Sequence, residues 1–453
     1  MTADTDLLDA YPFLVRESAV VPEPGPGPRS AAADVPYDYD GDTDAEQDRG
    51  SDSPLPWPQA RHRARRAAGG PLPAVCLPLA DALGGILAEP LASLTDLPAF
   101  DTSAMDGWAV SGPGPWLLEG QLLAGQPTAA ALADGTAVRI ATGAQLPPGA
   151  TAVLRREDGS VRPDRTGGLL LYDRGANPLD HGRDIRPRGQ ECRSGEPLLP
   201  PGTPVTPAVL GLAAAAGCDG LPVHRPPTVE LLILGDELLD SGLPRDGRIR
   251  DALGPLLPSW LRGYGARITA VRRVGDDLGL LRGALLRSPA DVVVTTGGTA
   301  AGPVDFLHRA LTDIGAKLLV NGVRVRPGHP MVLAALPPAQ ESQEPVRRHL
   351  IGLPGNPLAA VAGAATLAEP LLRALAGCRP ADPYLVEAAV AFPGHPEDTR
   401  LVPVVLPERG AVPLAFDGPA MLRGLALAEG LAVVPPGGLA AGARVEVLDV
   451  PAG

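Results

Sequence analysis

Apolar and polar positions change rhythm along the chain, and the longest regular stretch runs from Pro227 to Glu369. Thr228–Leu234, Ala266–Arg273 and Asp291–Thr295 are apolar runs rich in β-branched residues, each followed by a segment with helical spacing: Asp251–Tyr264, Leu278–Arg287 and Asp305–Ile314. Two more apolar runs, Met331–Leu336 and His349–Leu353, precede a helical stretch at Leu358–Leu375, and residues 337–348 read as a hairpin or loop insertion. Short apolar runs bounded by glycine are buried strands, and their alternation with helices predicts a parallel sheet covered on both faces. Strands end abruptly at Gly235-Asp236-Glu237, at Gly297-Gly298-Thr299 and at Gly352-Leu-Pro-Gly355-Asn356-Pro357. In open α/β sheets ligands bind beyond such carboxyl ends, so the pattern marks a site before any chemistry is named.

The flanking regions follow other rules. Residues 1–55 are rich in Pro, Gly, Ser, Ala and Asp, with an acid at almost every second position of Asp34–Asp52. They lack the apolar content to offset ordering entropy and are expected to be disordered. A basic helix is expected behind Pro58, and Cys76–Ala88 has apolar residues at helical spacing, ended by Pro90. Residues 111–180 hold short β-like runs between Gly and Pro, which predicts a small β-domain. Arg183–Gly217 reads as two β-segments and an Ala-rich helix that begins at Pro207 and ends at Gly217. After Pro380 come Leu385–Phe392, Leu401–Leu406, Leu431–Val434 and Ala443–Leu448, a second small β-domain with one short helix at Gly418–Ala428.

A length of 453 residues predicts two to four domains. Apolar residues make up 45% of the chain, enough for globular cores, while the net charge of −13, much of it in the first fifty residues, argues against a nucleic-acid-binding body. Cys76, Cys192, Cys218 and Cys378 are scattered singly, so neither a zinc site nor a disulfide framework is expected. The first residues show no signal-peptide pattern, and no uninterrupted apolar run reaches membrane-spanning length. A cytoplasmic protein with no membrane partner is the expectation.

Two segments outside the alternating stretch concentrate polar chemistry. In Asp96–Val110, acids, Ser and Thr surround Phe100 and Met105, and Asp106-Gly107 is a turn signal. From spacing alone, Asp101 and Asp106 read first as turn-shaping residues and only second as site residues. Thr142-Gly-Ala-Gln-Leu-Pro-Pro-Gly149 is the most polar loop of the first β-domain. Glu237 has an alternative reading as a helix-cap or loop carboxylate, and Gly355-Asn356-Pro357 reads equally as a plain turn.

Taken in order, these segments resemble the molybdopterin molybdenumtransferases, the molybdenum-insertion family that includes bacterial MoeA and the E domain of gephyrin. Phe100-Asp-Thr-Ser-Ala-Met-Asp-Gly-Trp-Ala109 matches the family's F-D-x-S-A-M-D-G-[YW]-A, and Ile140–Ala150 matches its second signature. Gly235-Asp-Glu-Leu238, Gly247-Arg-Ile-Arg-Asp251, Gly275-Asp-Asp277, Gly297-Gly298 with Gly302 and Asp305, Arg326-Pro327-Gly328-His329-Pro330 and Gly352–Pro357 follow in family order. The similarity spans about residues 57–453.

The resemblance implies a multidomain α/β protein. Its expected parts are an acidic tail at 1–55, an elongated region at 56–103 and 181–225, and an inserted β-domain at 104–180. A three-layer α/β molybdopterin-binding domain at 226–378 and a C-terminal β-barrel-like domain at 379–453 follow. It also implies a homodimer, contacts with other molybdenum cofactor enzymes, and a reaction in which adenylylated molybdopterin and molybdate give molybdenum cofactor and AMP, assisted by Mg²⁺. On the matching positions, Asp106, Thr142, Glu237, Asp251 and Asp305 are the implied catalytic residues, with Glu237, Asp251 and Asp305 as ligands of Mg²⁺. Gly235, Asp236, Gly297, Gly298, Thr299, Gly302, Arg326, Pro327, Gly328, His329, Pro330, Gly355, Asn356 and Pro357 are the implied binding residues. Glycine amides can hold phosphate without a side-chain cation, and carboxylates beside a pyrophosphate are explained by a shared metal.

Departures fall in the same stretch. The family's D-S-N is Asp251-Ala-Leu253, its S-G-G-V-S is Thr296-Gly-Gly-Thr-Ala300, and its K-P-G-K-P carries Arg326 and His329. Gly189-Gln-Glu191 and Ala428-Glu-Gly430 replace G-E-D and A-N-G. The competing readings are a diverged carrier or scaffold that binds molybdopterin without inserting metal, and a pyrophosphatase or amidase sharing the α/β domain.

Overall fold

The computed structural model describes residues 53–125, 130–165, 167–299, 306–338 and 347–451. The segments 1–52 and 339–346, which hold the acidic tail and most of the expected loop insertion, lie outside them, as do Ala300, Gly302 and Asp305. The chain divides into two compact units, residues 74–223 and the remainder.

The α/β sheet of the second unit is built from β1 (Thr228–Leu234), β2 (Arg267–Val274), β3 (Val292–Thr296), β4 (Lys317–Asn321), β5 (Val332–Leu336) and β6 (Arg348–Leu353). Their order across the sheet is β2-β1-β3-β6-β5-β4. The first four neighbours are parallel, but β5 runs antiparallel to β6 and β4 antiparallel to β5. The sheet is therefore mixed rather than wholly parallel as expected, with β4 and β5 forming an antiparallel edge.

The strand period of two divides the apolar residues between the faces. Val229, Leu231 and Ile233 belong to one core, with α1 (Leu253–Gly263) and α4 (Pro357–Leu375). Leu232 and Val293 belong to the other, with α2 (Leu278–Arg287) and α3 (Phe306–Asp313). Helix α4 is long and apolar enough to cross a bilayer by length and composition, and it uses those residues in the core, where Leu358, Val361, Leu367 and Leu371 are buried.

A π-turn at Ala364–Ala368 interrupts α4 where the helix Trp57–Ala67 docks. Trp57 Nε1 donates to Thr366 Oγ1 at 3.0 Å, and Arg61 donates to the Ala365 carbonyl and pairs with Glu369 at 2.8 Å. A π-turn loosens the i to i−4 ladder, which lets Arg61 take a carbonyl from within it. In the same unit, Thr399–Val405, Gly430–Val434, Arg444–Asp449 and Leu385–Glu387 form the C-terminal sheet, joined by Val323–Arg326 and by Leu55–Pro56.

The other unit holds a six-stranded sheet with Gly107–Val110 between Ala152–Arg155 and Thr136–Ile140. It also contains the helix Pro207–Ala215, capped by Thr206 Oγ1 accepting from Val209 N at 3.3 Å. The amphipathic helix expected at Cys76–Ala88 does not form: Ala74–Pro78 is a strand, followed by a single 3-10 turn at Leu79–Asp81. The strand pairs with Gly220–His224, which takes the backbone groups a helix would have used, and Gly84 adopts φ +77.

Candidate functional site

Strands β1 and β3 are neighbours, and the chain leaves β1 to build β2 on one side before returning to β3 on the other. That reversal opens a crevice at the carboxyl ends of β1 and β3. The loop after β1 begins at Gly235, with φ +126, and the Glu237 carboxylate lies over it: a Cβ at 235 would stand 2.6 Å from Oε2. Only glycine permits this return. After β3, Gly297 (φ +83) donates its N–H to the Leu353 carbonyl at 2.8 Å, and a Cβ on Gly355 would meet its Cα at 3.7 Å. The loops after β3 and β6 are thus tied together. The tie uses the Gly297 amide, one of the two expected to face a phosphate. The N–H groups of Glu237, Gly298, Thr299, Gly355 and Asn356 meet no acceptor among the described residues. A set of unpaired amides at a strand-end crevice suits an oxyanion.

The acids divide by what surrounds them. Asp251 is buried; its Oδ1 accepts from Leu253 N and Gly254 N, both at 3.0 Å, and its Oδ2 accepts from Arg273 at 2.9 Å. Both oxygens accept hydrogen bonds, and those from Leu253 and Gly254 cap the first turn of α1. Arg273 also pairs with Asp240 and donates to the Leu238 carbonyl at 3.2 Å, which staples the whole loop between Leu238 and Asp251. No spacing rule would have singled out Arg273, because its partners lie 22 to 35 positions away. Glu237 is exposed and has no side-chain partner among the described residues. Asp236 N approaches Asp276 Oδ2 at 3.4 Å. Among the described residues no three His, Cys, Asp or Glu side chains are grouped to hold a metal. Of the expected Mg²⁺ set Glu237, Asp251 and Asp305, the last lies outside the described residues.

The Arg326–Pro330 segment lies against the first turns of α4, where a Cβ on Gly328 would come within 2.9 Å of the Ala359 carbonyl. This brings it beside Asn356 and Pro357. Arg326 Nε is paired with Asp398 Oδ2 at 2.7 Å, so the cation expected for anion binding already has a carboxylate. His329 carries a buried Nδ1 with no partner, while its carbonyl accepts from Val323 N and Met331 N at 3.0 Å each. Asn356 is the N-cap of α4 without a side-chain cap bond. The Leu358 and Ala359 amides of the first turn donate to the Pro419 carbonyl at 2.9 and 3.2 Å, which leaves little of that helix start open.

In the other unit, antiparallel pairing of Gly107 with Ile140 brings Asp106 and Thr142 together across 36 positions. Asp106 Oδ1 accepts from both Thr142 N and Thr142 Oγ1 at 2.7 Å. Those two bonds, the backbone one foremost, hold the Asp106 carboxyl below the ordinary carboxylate range, with Arg156 and Arg139 adding to the effect. Asp101 instead shapes its turn, accepting from Arg188 N at 2.7 Å.

Comparison with known proteins covers nearly the whole described chain. Residues 55–217 match the MoeA N-terminal region (domains I and II), 230–374 a probable molybdopterin binding domain, and 386–450 the MoeA C-terminal region (domain IV). A Synechococcus elongatus protein named molybdopterin molybdenumtransferase is 31% identical over 320 residues, covering 67% of this chain and 76% of its own. One of the same name from Staphylococcus aureus strain COL is 28% identical over 398 residues, covering 83% and 91%. The crystal structure of a molybdopterin biosynthesis MoeA protein from Pyrococcus horikoshii superposes with a TM-score of 0.69 at 25% identity, covering 88% of this chain and all of that one. The chain belongs to the molybdopterin molybdenumtransferase family.

Proposed function

We propose that this protein inserts molybdenum from molybdate into adenylylated molybdopterin and releases AMP, as a step of molybdenum cofactor biosynthesis. The observation that carries the reading is the crevice at the carboxyl ends of β1, β3 and β6. There five backbone amides without acceptors among the described residues lie on the loops that follow those strands, as does the exposed Glu237 carboxylate. Amides bind phosphate or molybdate oxygens without a proton to lose, and their dipoles are fixed before the substrate arrives. The exposed Glu237 carboxylate is open to a Mg²⁺ ion carried in by the pyrophosphate, and such an ion would neutralise phosphate charge and act as a Lewis acid. Asp106, ionised and fixed by Thr142, is the family-signature acid of the other unit. A homodimer in which Asp106 of one subunit serves the crevice of the other, and a cytoplasmic location, belong to the same proposal.

The test is purified protein incubated with adenylylated molybdopterin, molybdate and Mg²⁺, with AMP and molybdenum cofactor both quantified. Formation of both is expected, and turnover should fall when Mg²⁺ is chelated. Tight binding of molybdopterin with no AMP release would overturn the enzyme reading in favour of a carrier. A mixed dimer of an Asp106→Ala subunit and a Glu237→Ala subunit should recover about half the sites if the crevice is shared, and none if each subunit works alone.

A further inference from the structure

The expected cationic partner for the substrate's oxyanions, Arg326, is already paired with Asp398, and His329 has a buried Nδ1. Acids nevertheless gather at the crevice: Asp236 and Glu237 lie on its loop after β1, and Asp276, after β2, accepts from Asp236 N at 3.4 Å. An anion entering there meets repulsion that the amides only partly offset. The chain carries cations on the same loop. Leu238–Leu239 pairs in parallel with Ile249–Arg250, and Ile249 N donates to the Glu237 carbonyl at 2.9 Å. That ribbon brings Arg248 and Arg250 next to the Glu237 backbone, and a turn with reciprocal bonds between Arg245 and Arg248 at 3.2 and 2.9 Å adds the third arginine.

All three arginines are exposed, and none has a side-chain partner among the described residues. The loop's own acids do not neutralise them, since Asp240 and Asp251 are held by Arg273 and Asp246 forms no ion pair there. In an extended segment alternate side chains share a face, so Arg248 and Arg250 project together with Ile249 opposite. Three like charges within six positions repel one another, and an oxyanion relieves that repulsion. The guanidinium fork matches phosphate or molybdate oxygens in bidentate fashion.

We propose that Arg248 and Arg250, assisted by Arg245, are the cationic arm of the oxyanion site beside Glu237, binding substrate phosphate or molybdate. The inference rests on the proposed function only for which substrate supplies the oxyanion. Its test needs no turnover: calorimetric titration of the full-length protein with inorganic pyrophosphate and, separately, with sodium molybdate at low ionic strength. The double variant Arg248→Ala/Arg250→Ala should bind at least one anion about tenfold more weakly. The Arg248→Lys/Arg250→Lys variant should fall between, because lysine keeps the charge and loses the fork. An effect on pyrophosphate assigns the arm to the adenylylated substrate, and an effect on molybdate alone assigns it to the metal donor. A thermal midpoint equal to that of the unsubstituted protein is expected, since these side chains are exposed and make no hydrogen bond or ion pair among the described residues. Unchanged affinity of the double variant for both anions overturns the inference, as does a protein that binds neither. Absent AMP release with arginine-dependent anion binding would sink the enzyme reading and leave this inference standing.

Discussion

At the scale of single residues, two carboxylates show how partners decide a role. Glu237 and Asp251 are both acids on loops at the same sheet edge, yet Asp251 holds two amides and Arg273 while Glu237 holds nothing described. Glu237→Ala should therefore abolish AMP release with no loss of thermal stability. Asp251→Ala should lower the unfolding midpoint, because it removes a helix cap and leaves Arg273 short of a partner. Each such loss costs about 1–2 kcal/mol. Equal stability of the two variants would contradict the division. Buried His349, 2% exposed, provides a pH-dependent residue. Its Nε2 bonds the Ala67 carbonyl at 3.0 Å, its Nδ1 has no partner, and burial foremost holds its pKa below the ordinary 6.5. The unfolded chain then takes up the proton before the folded one. Stability from this residue is present above 6.5 and lost as the pH falls through and below that value. The denaturant midpoint should decline between about pH 7 and about pH 5, and His349→Gln should flatten that slope.

At the scale of elements, the alternation of periods two and 3.6 was legible because each strand face and helix stripe is written locally. The mixed edge of the sheet was not, since the direction of β5 depends on its turns and on which neighbour it meets. The failed helix at Cys76–Ala88 teaches the same lesson: apolar spacing matched, but strand pairing with Gly220–His224, about 140 positions away, and the positive φ of Gly84 overrode it. The docking of the helix Trp57–Ala67 on the π-turn of α4 was invisible, because Trp57 and Thr366 are 309 positions apart. Trp57→Phe keeps most of the apolar contact and removes that hydrogen bond. It should cost about 1 kcal/mol, read as a lower urea midpoint at unchanged slope. A midpoint equal to the unsubstituted protein would show that the bond contributes nothing net.

At the scale of the whole molecule, the matched regions begin at residue 55 and end at 450, so the acidic N-terminal residues stand outside every family region. A chain beginning at Ser53 should keep its turnover and elute much earlier from an anion exchanger. A large loss of activity would give the tail a role in the reaction. The sequence by itself determined the family, the domain classes and which loops would meet at the sheet edge, because motifs and periodicity are local properties. Tertiary structure alone decided that Asp251 is a cap, that the Gly297 amide and Arg326 are already bonded, and that Arg248 and Arg250 stand unpaired beside Glu237. A group's chemistry depends on which of its bonds are already made, and those bonds reach across tens to hundreds of positions that no local pattern records.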